Sequence, residues 1–532
     1  MLESTPPRDS RMGCDGNVAA AVSREFRTIH HSHEGVFLMR IRAILICIGL
    51  CTAVGAVCGA ADEKEPQHDR YLLLDSRIIE STQNAELTLG KIKKHPSNPL
   101  FGEDKPWEIK FANLYPNVIY DSQDKIYKCW YNPFIVDKSA KGMTWEEREN
   151  TTYTHPGPTR EMCVCYAFSK DGIRWEKPEL GLIEYGGDRK NNVVFRGPLG
   201  AGVFKDPGTS DEARRYKMMM LAWQLTGTVA KRRHAAVAFS RDGILWSQMY
   251  FCPEINPVEV DGLFHPMWVP ELKQYVAFAR MRDRSRVLPE RYFGKKGAVR
   301  QIGRTTSPDF LNWTKSEVVF EGEEDHLQLY SMPVFRYSNV FIGLPVVFNI
   351  KTDRTHVELA WSPDTKRWYR VSPGTPLIPN SEKRMAYDWG TVYASKPVFT
   401  KNEIRLYYGG ADGRHGSWNL GYFCLATLRP DGFAGYETTD RERLGTIVTK
   451  EVLCTAKTLR VTADVVMSGY VKVTIFDNKN KELAEGELIT RTVTDAEVQW
   501  KEGFSFGSLK GNEIRLRFEL KDAKLYSFSF ID

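Results

Sequence analysis

CVCYAFSKDGIRW (163–175) and AAVAFSRDGILW (235–246) are one element written twice. Each is an apolar, strand-like run that ends in an Asp-Gly turn and then a tryptophan. The element recurs as RQIGRTTSPDFLNW (300–313), VELAWSPDTKRW (357–368) and, in degenerate form, GYFCLATLRPDGF (421–433). The turn aspartates are Asp171, Asp242, Asp309, Asp364 and Asp431, separated by 71, 67, 55 and 67 residues. A second strand-like run precedes each copy, at 125–134, 215–224, 273–282, 339–349 and 403–412. A third lies before that, at 114–120, 201–205, 262–269, 330–336 and 393–399. With a strand after each tryptophan, every unit has four strands. Four-stranded units in series predict an all-β, five-bladed β-propeller over 98–440.

The repeat assigns roles before any chemistry is considered. Each turn Asp is expected to bond its own turn backbone, and each Trp to pack between blades. Lys205-Asp206-Pro207 resembles a short catalytic motif of some propeller glycosidases. Its register, however, places Asp206 in a first-to-second hairpin, as it does Asp121. That face carries only short, stereotyped turns. The opposite face carries the long loops 136–160, 224–234 and 283–300. Function concentrates on variable loops held by a rigid scaffold, so the long-loop face is the expected active face.

Outside the repeat the chain changes character twice. Arg40 and Arg42 precede an apolar run from Ala43 to Cys58, then Gly59-Ala60-Ala61 and the charged Asp62-Glu63-Lys64. This is the layout of a secretory signal peptide over 39–61, too short for a membrane span. Residues 1–38 read as an upstream extension, and 62–97 as a segment packing on the propeller. Export to the periplasm or the exterior follows. Six cysteines remain after it: Cys129, Cys163, Cys165, Cys252, Cys424 and Cys454. Several lie within strand-like runs, where small buried hydrophobes are expected. After Arg441–Ile447 the alternation of apolar and polar residues predicts a C-terminal β-sandwich over 441–532. The net charge of +6 over 532 residues, without a long basic run, argues against nucleic acid. Nothing bears on oligomeric state.

The candidate site residues stand at the starts of the innermost strands or the ends of the second strands, around the mouth of the channel. Glu108, Asp261 and Asp388 are the expected catalytic carboxylates, since glycoside cleavage needs two such groups. Trp107 and Trp389, next to two of them, are expected as sugar-stacking platforms. Asn113, His265, Arg280, Arg282, Asp412, Arg414 and His415 complete the set as substrate contacts. His265 and His415 lack the spacing of a metal site, so neither metal nor cofactor is expected.

The chain resembles the five-bladed propeller hydrolases of the fructosidase and arabinanase superfamily. The carrying residues are HPSNPLF (95–101), PWE (106–108), YPNVIYDSQDKIYKCWY (115–131), the SKDGIRW and SRDGILW turns, and LYYGGADGRHG (406–416). It also resembles exported, planctomycete-type relatives that begin with a YLLLDSRIIE-like segment (71–80). The resemblance implies a glycoside hydrolase in which acids from several blades meet, by position Glu108, Asp261 and Asp388. It departs from the fructosidases in the first blade, where Trp107-Glu108 and Asn113 replace the usual Asp. A carbohydrate-binding propeller without turnover is the alternative, as is a sialidase-like hydrolase using Arg280, Arg282 and Arg414. Export is checked by sequencing the mature N-terminus, expected near Asp62; a secreted product retaining Met1–Ala61 would contradict it.

Overall fold

The computed structural model describes residues 69–154, 156, 160–226, 230–255, 260, 262–283, 285–286, 298–501 and 503–532. The leader expected over 39–61 lies outside these residues. The described chain is almost entirely β, and its sheets follow the repeat.

The first sheet joins Asn117–Asp121, Ile126–Tyr131, Glu161–Ser169 and Val193–Arg196 in antiparallel order, with Phe134–Val136 added to the third strand. The second joins Leu199–Lys205, Tyr216–Thr226, Ala230–Ser240 and Tyr250–Cys252. The third joins His265–Val269, Gln274–Asp283, Val299–Ser307 and Glu317–Phe320. The fourth repeat unit is divided into two small sheets between Leu327 and Val371. Pro333 separates Leu327–Ser331 from Val334–Tyr337, and Pro345 separates Val340–Gly343 from Val346–Asn349. Proline removes a ladder donor and so interrupts a continuous strand.

First strands lie side by side. Asn117–Asp121 touches Leu199–Lys205, which touches His265–Val269, which touches Val334–Tyr337. In the last sheet Val398–Phe399 returns against Asn117–Asp121. That last sheet takes its outer strand from the other end of the chain: Lys93–Lys94 and Phe101–Gly102 both pair with Gly421–Leu428. The Asn98 side chain mimics a strand there, accepting from Leu425 N and donating to Leu425 O, both at 2.8 Å.

The turns behave as local structure. Asp171 Oδ1 accepts from Ile173 N and Arg174 N at 2.8 Å, and Asp242, Asp309 and Asp364 repeat the pattern. Trp175 packs edge-on against Tyr407 and Phe423 of the last sheet, and Trp368 against Phe278 of the third. Trp130 is fully buried, and its indole N–H donates to Gly243 O at 2.6 Å. A Cβ on Gly243 would lie 2.3 Å from that ring, and its φ of +80° is itself a glycine conformation. On the short-turn face, Asp121 is held by Lys128 and Lys205, and Asp206 by Lys217 and the Tyr275 hydroxyl. These buried ion pairs bolt hairpins to neighbouring strands.

The fifth copy departs from the expected turn role. Asp431 is fully buried and receives Arg70, the hydroxyls of Tyr337, Thr462 and Ser527. It therefore joins the N-terminal strand, the fourth unit and the C-terminal sheet rather than capping its own turn. That C-terminal sheet is organised by two long strands, Thr458–Phe476 and Glu513–Ile531, and recruits Arg70–Leu72, Ile79–Gln83 and Ala85–Leu89 from the start of the described chain. The six cysteines are buried and unbridged.

Glu103 clamps the same closure. Its Oε1 accepts from Phe111 N at 2.7 Å and Gly421 N at 2.9 Å, while Oε2 is buried without a partner. Burial raises the carboxyl to about 7, although both backbone N–H groups pull it down. Between pH 4.5 and 7 the folded chain thus holds a proton that the unfolded chain has lost. Stability from this group is full at low pH and falls as pH rises through that window, by about 3 kcal/mol. Urea unfolding at pH 5 and pH 8 is expected to show this loss in the wild type and not in Glu103→Gln; an unchanged difference in the variant would exclude Glu103 as its source.

Candidate functional site

Two loops on the long-loop face enclose a cavity. The first, between the second and third strands of the first sheet, carries the short helix Trp145–Asn150. Thr144 and Glu147 form a capping box that starts it. The second joins Ile404–Ala411 to Gly421–Leu428. With Trp389 they bound a cavity of about 280 Å³, whose lining includes Trp145, Arg148, Tyr153, Trp389, Arg414 and Trp418.

The aromatic walls are fixed by polar contacts. Trp145 meets Trp389 edge-on at 6.4 Å, and Tyr153 meets Trp418 edge-on at 5.1 Å. Arg354 lies 4.6 Å over Trp389 and donates to its carbonyl. Lys110 sits 3.7 Å over Tyr153. Arg148 bridges the two loops through Asp412 at 2.8 Å, and Asp412 also accepts from Leu420 N at 2.8 Å. Burial nonetheless pushes Asp412 above the usual carboxylate range.

A second set of groups meets around Tyr330. Asp353 is raised in the same way, by burial, and accepts from Gly416 N at 2.7 Å. Its Oδ1 is 3.8 Å from His415 Nδ1. His415 Nε2 is 2.7 Å from the Tyr330 hydroxyl, which also accepts from Asn113 Nδ2 at 3.2 Å. Arg280 lies 4.1 Å over the Tyr330 ring. Burial, and then the charges of Arg300, Arg280, Lys110 and Arg160, hold His415 well below its ordinary value, so it is neutral at neutral pH.

Of the residues expected from sequence, Trp389 and Arg414 line the cavity and Asp412 stands behind it. Asn113, Arg280 and His415 gather around Tyr330. Arg282 stands opposite Arg300 in strand register. His265 is half-buried near Lys396, its Nε2 buried without a partner; burial first, then Lys396, lowers it to about 3. Glu108 is fully enclosed, bound by Lys177, the Tyr131 hydroxyl and the backbone N–H groups of Asp104 and Lys105. Asp388 is equally enclosed by Lys94, Ser381 and Tyr408. The two carboxylates share no partner and neither lines the cavity. Trp107 is not an open platform: it is buried, and its indole N–H donates to Asn192 at 2.8 Å. Asp261 lies outside the described residues. Among the described residues no three His, Cys, Asp or Glu side chains gather as metal ligands.

Trp145, Arg148, Tyr153, Trp418, Asp353 and Tyr330 escaped the sequence reading. Trp145 and Tyr153 lie inside the 136–160 loop flagged only by its length. Asp353 lies in the loop after Val346–Asn349, a second-to-third loop like the one that carries His415. Loop parity therefore held the available signal for that pair.

No protein-family model matches the sequence, and no curated protein matches it significantly. Solved structures do resemble it. A glycosyl hydrolase from Bacteroides ovatus is 14% identical, with a TM-score of 0.41, covering 64% of this chain and 95% of that one. A structure described under the GH130 family of mannoside phosphorylases, a family containing hydrolases that target β-1,2-mannosidic linkages in Candida mannan, is 15% identical. Its TM-score is 0.40, covering 64% of this chain and 94% of that one. An N-acetylgalactosamine deacetylase from F. plautii is 12% identical, with a TM-score of 0.39, covering 65% and 96%. Likeness at this level assigns no activity.

The Arg148–Asp412 pair is one tether of the helix-bearing loop, beside the Arg384–Glu149 ion pair. Arg148→Ala leaves Asp412 without its cation, at a local cost of about 1–3 kcal/mol. Hydrogen exchange of the Trp145–Asn150 amides is expected to quicken at least tenfold, with the strands unaffected. Unchanged exchange would show that the loop is held by other contacts.

Proposed function

We propose that this chain is an exported glycan-processing enzyme, a glycoside hydrolase, built as a five-bladed propeller (98–440) followed by a β-sandwich (441–532). The side-by-side first strands and the return of Val398–Phe399 to Asn117–Asp121 support the closed five-unit ring. Arg40, Arg42 and the apolar run that follows support export.

The observation that carries the functional reading is the composition of the cavity. Four aromatic side chains, Trp145, Tyr153, Trp389 and Trp418, share its lining with Arg148, Glu149, Arg414 and hydroxyl residues. Sugar rings offer apolar C–H faces to aromatic rings and hydroxyls to charged partners, so this mixture suits a carbohydrate. Asp412 lies directly behind the lining with its carboxyl raised by burial. A carboxyl raised above its ordinary range is shifted toward the role of donor to a leaving glycosidic oxygen. In this reading Glu108 and Asp388 brace the scaffold, and Asp261 remains a candidate acid beside Gly262.

The pairing of Asp412 with Arg148 favours a second reading, a propeller that binds glycan without cleaving it. A charge-neutralised acid is a poor proton donor. The discriminating experiment screens the mature protein from Asp62 onward against aryl glycosides and polysaccharides, with Trp389→Ala and Asp412→Asn alongside. Hydrolysis predicts released sugar, a KM raised about tenfold in Trp389→Ala, and a kcat lowered at least a hundredfold in Asp412→Asn. Glycan binding without release by the wild type would establish the second reading instead.

A further inference from the structure

We propose that the C-terminal sheet carries a second binding site, for a neutral glycan chain, in the cavity beside Trp500. The site lies outside the repeat units, and it stands whether or not the first cavity cleaves its ligand.

The cavity, of about 390 Å³, forms where the start of the long strand Thr458–Phe476 meets the end of Val493–Glu497 and the short helix Phe506–Leu509. Val498 N donates to Leu459 O at 2.9 Å, which holds this stretch along the long strand. The chain then turns back, and Phe506 enters the core against Phe530, with ring centres 6.1 Å apart. Trp500 stacks on Phe506 at 5.5 Å, 11° from parallel, and Phe504 stands edge-on to Trp500, also at 5.5 Å. Phe506 is buried, whereas Trp500 and Phe504 are half-buried and line the cavity. A buried ring thus backs an aromatic pair that the core leaves partly open.

The polar part of the lining decides the ligand. Lys457, Glu497 and Gln499 are exposed and line the same cavity. Among the described residues, neither Lys457 nor Glu497 forms an ion pair, with the other or with any further group. Asp532 feels the charge of Lys457 but is paired with Lys510. One unpaired cation and one unpaired anion on a single lining favour a ligand without net charge that both donates and accepts hydrogen bonds. An anion would face Glu497, and a cation would face Lys457. An apolar peptide would strip both charges of water and offer nothing in return. A neutral sugar chain meets each demand, with hydroxyls for Lys457, Glu497 and Gln499 and C–H faces for Trp500 and Phe504.

The first cavity has the same mixture of aromatic and polar groups. A polymer long enough to reach both is then held at two places. Capture at the C-terminal sheet raises the effective concentration of that polymer at the first cavity without any new contact there.

The test runs the mature protein through native gels containing mannan, arabinan or xylan, with polygalacturonate as the charged comparison. The wild type is expected to be retarded by at least one neutral polymer, and less by polygalacturonate. Trp500→Ala and, separately, Glu497→Ala combined with Gln499→Ala are expected to weaken that retardation about tenfold, while Trp389→Ala keeps it. The exposed double variant is expected to keep its unfolding midpoint and the wild-type kcat/KM on any aryl glycoside that the protein cleaves. Unchanged retardation in the double variant, loss of all retardation in Trp389→Ala, a preference for polygalacturonate, or no retardation of the wild type would overturn the second site. So would a dimer that Trp500→Ala dissociates, which would assign the cavity to a second copy of the chain. Sugar release by a wild type whose retardation the double variant shares would leave the hydrolase reading in place. Retardation that depends on Trp500, without release from any glycoside, would overturn the hydrolase reading and keep the second site.

Discussion

Closure of the last sheet by the opposite end of the chain is the constraint on which the rest depends. The fifth repeat unit supplies only its three inner strands. Lys93–Lys94 and Phe101–Gly102 supply the edge, so the described chain begins and ends within one connected framework. Asn98 completes the ladder with a side chain, Glu103 holds Phe111 and Gly421 together, and Asp431 ties Arg70 to Tyr337 and Ser527. Asp431 is fully buried and Asn98 and Glu103 are half-buried, and each becomes costly if its partner leaves. The last sheet is thus secured at one seam between the two ends of the described chain.

That arrangement explains why the scaffold was legible and where the reading slipped. The Asp-Gly turns announce themselves because their bonds are local: two backbone N–H groups within three residues of each Asp. Asp206 could be set aside because register alone gave it the position of Asp121, and both prove to be lysine-bound hairpin residues. Asp431 fits the spacing but not the chemistry. Its partners lie at positions 70, 337, 462 and 527, and no local pattern encodes such a meeting. Division of the fourth unit follows from two prolines that an apolar pattern treats as harmless.

The site was less legible for a related reason. Adjacency to tryptophan drew attention to Glu108 and Asp388, yet neighbours along an irregular segment need not face the same way. Their charges are met by Lys177 and Lys94, both distant in sequence. Fully enclosed and lysine-bound, both are anchors, and sequence does not show such partners. Asp353 and His415 lie on two loops far apart in sequence that the fold hydrogen-bonds together. Trp145 and Tyr153 come from a length-flagged loop whose short helix is visible mainly through its Thr144/Glu147 cap.

Carbohydrate processing in the cavity between the helix-bearing loop and the Asp412–Leu420 segment is the central claim. A crystal structure of the mature protein soaked with an oligosaccharide tests it most directly. The account predicts a sugar ring against Trp145 and Trp389. A glycan seated only elsewhere, for instance in the cavity of about 390 Å³ beside Trp500 and Phe504, would contradict it.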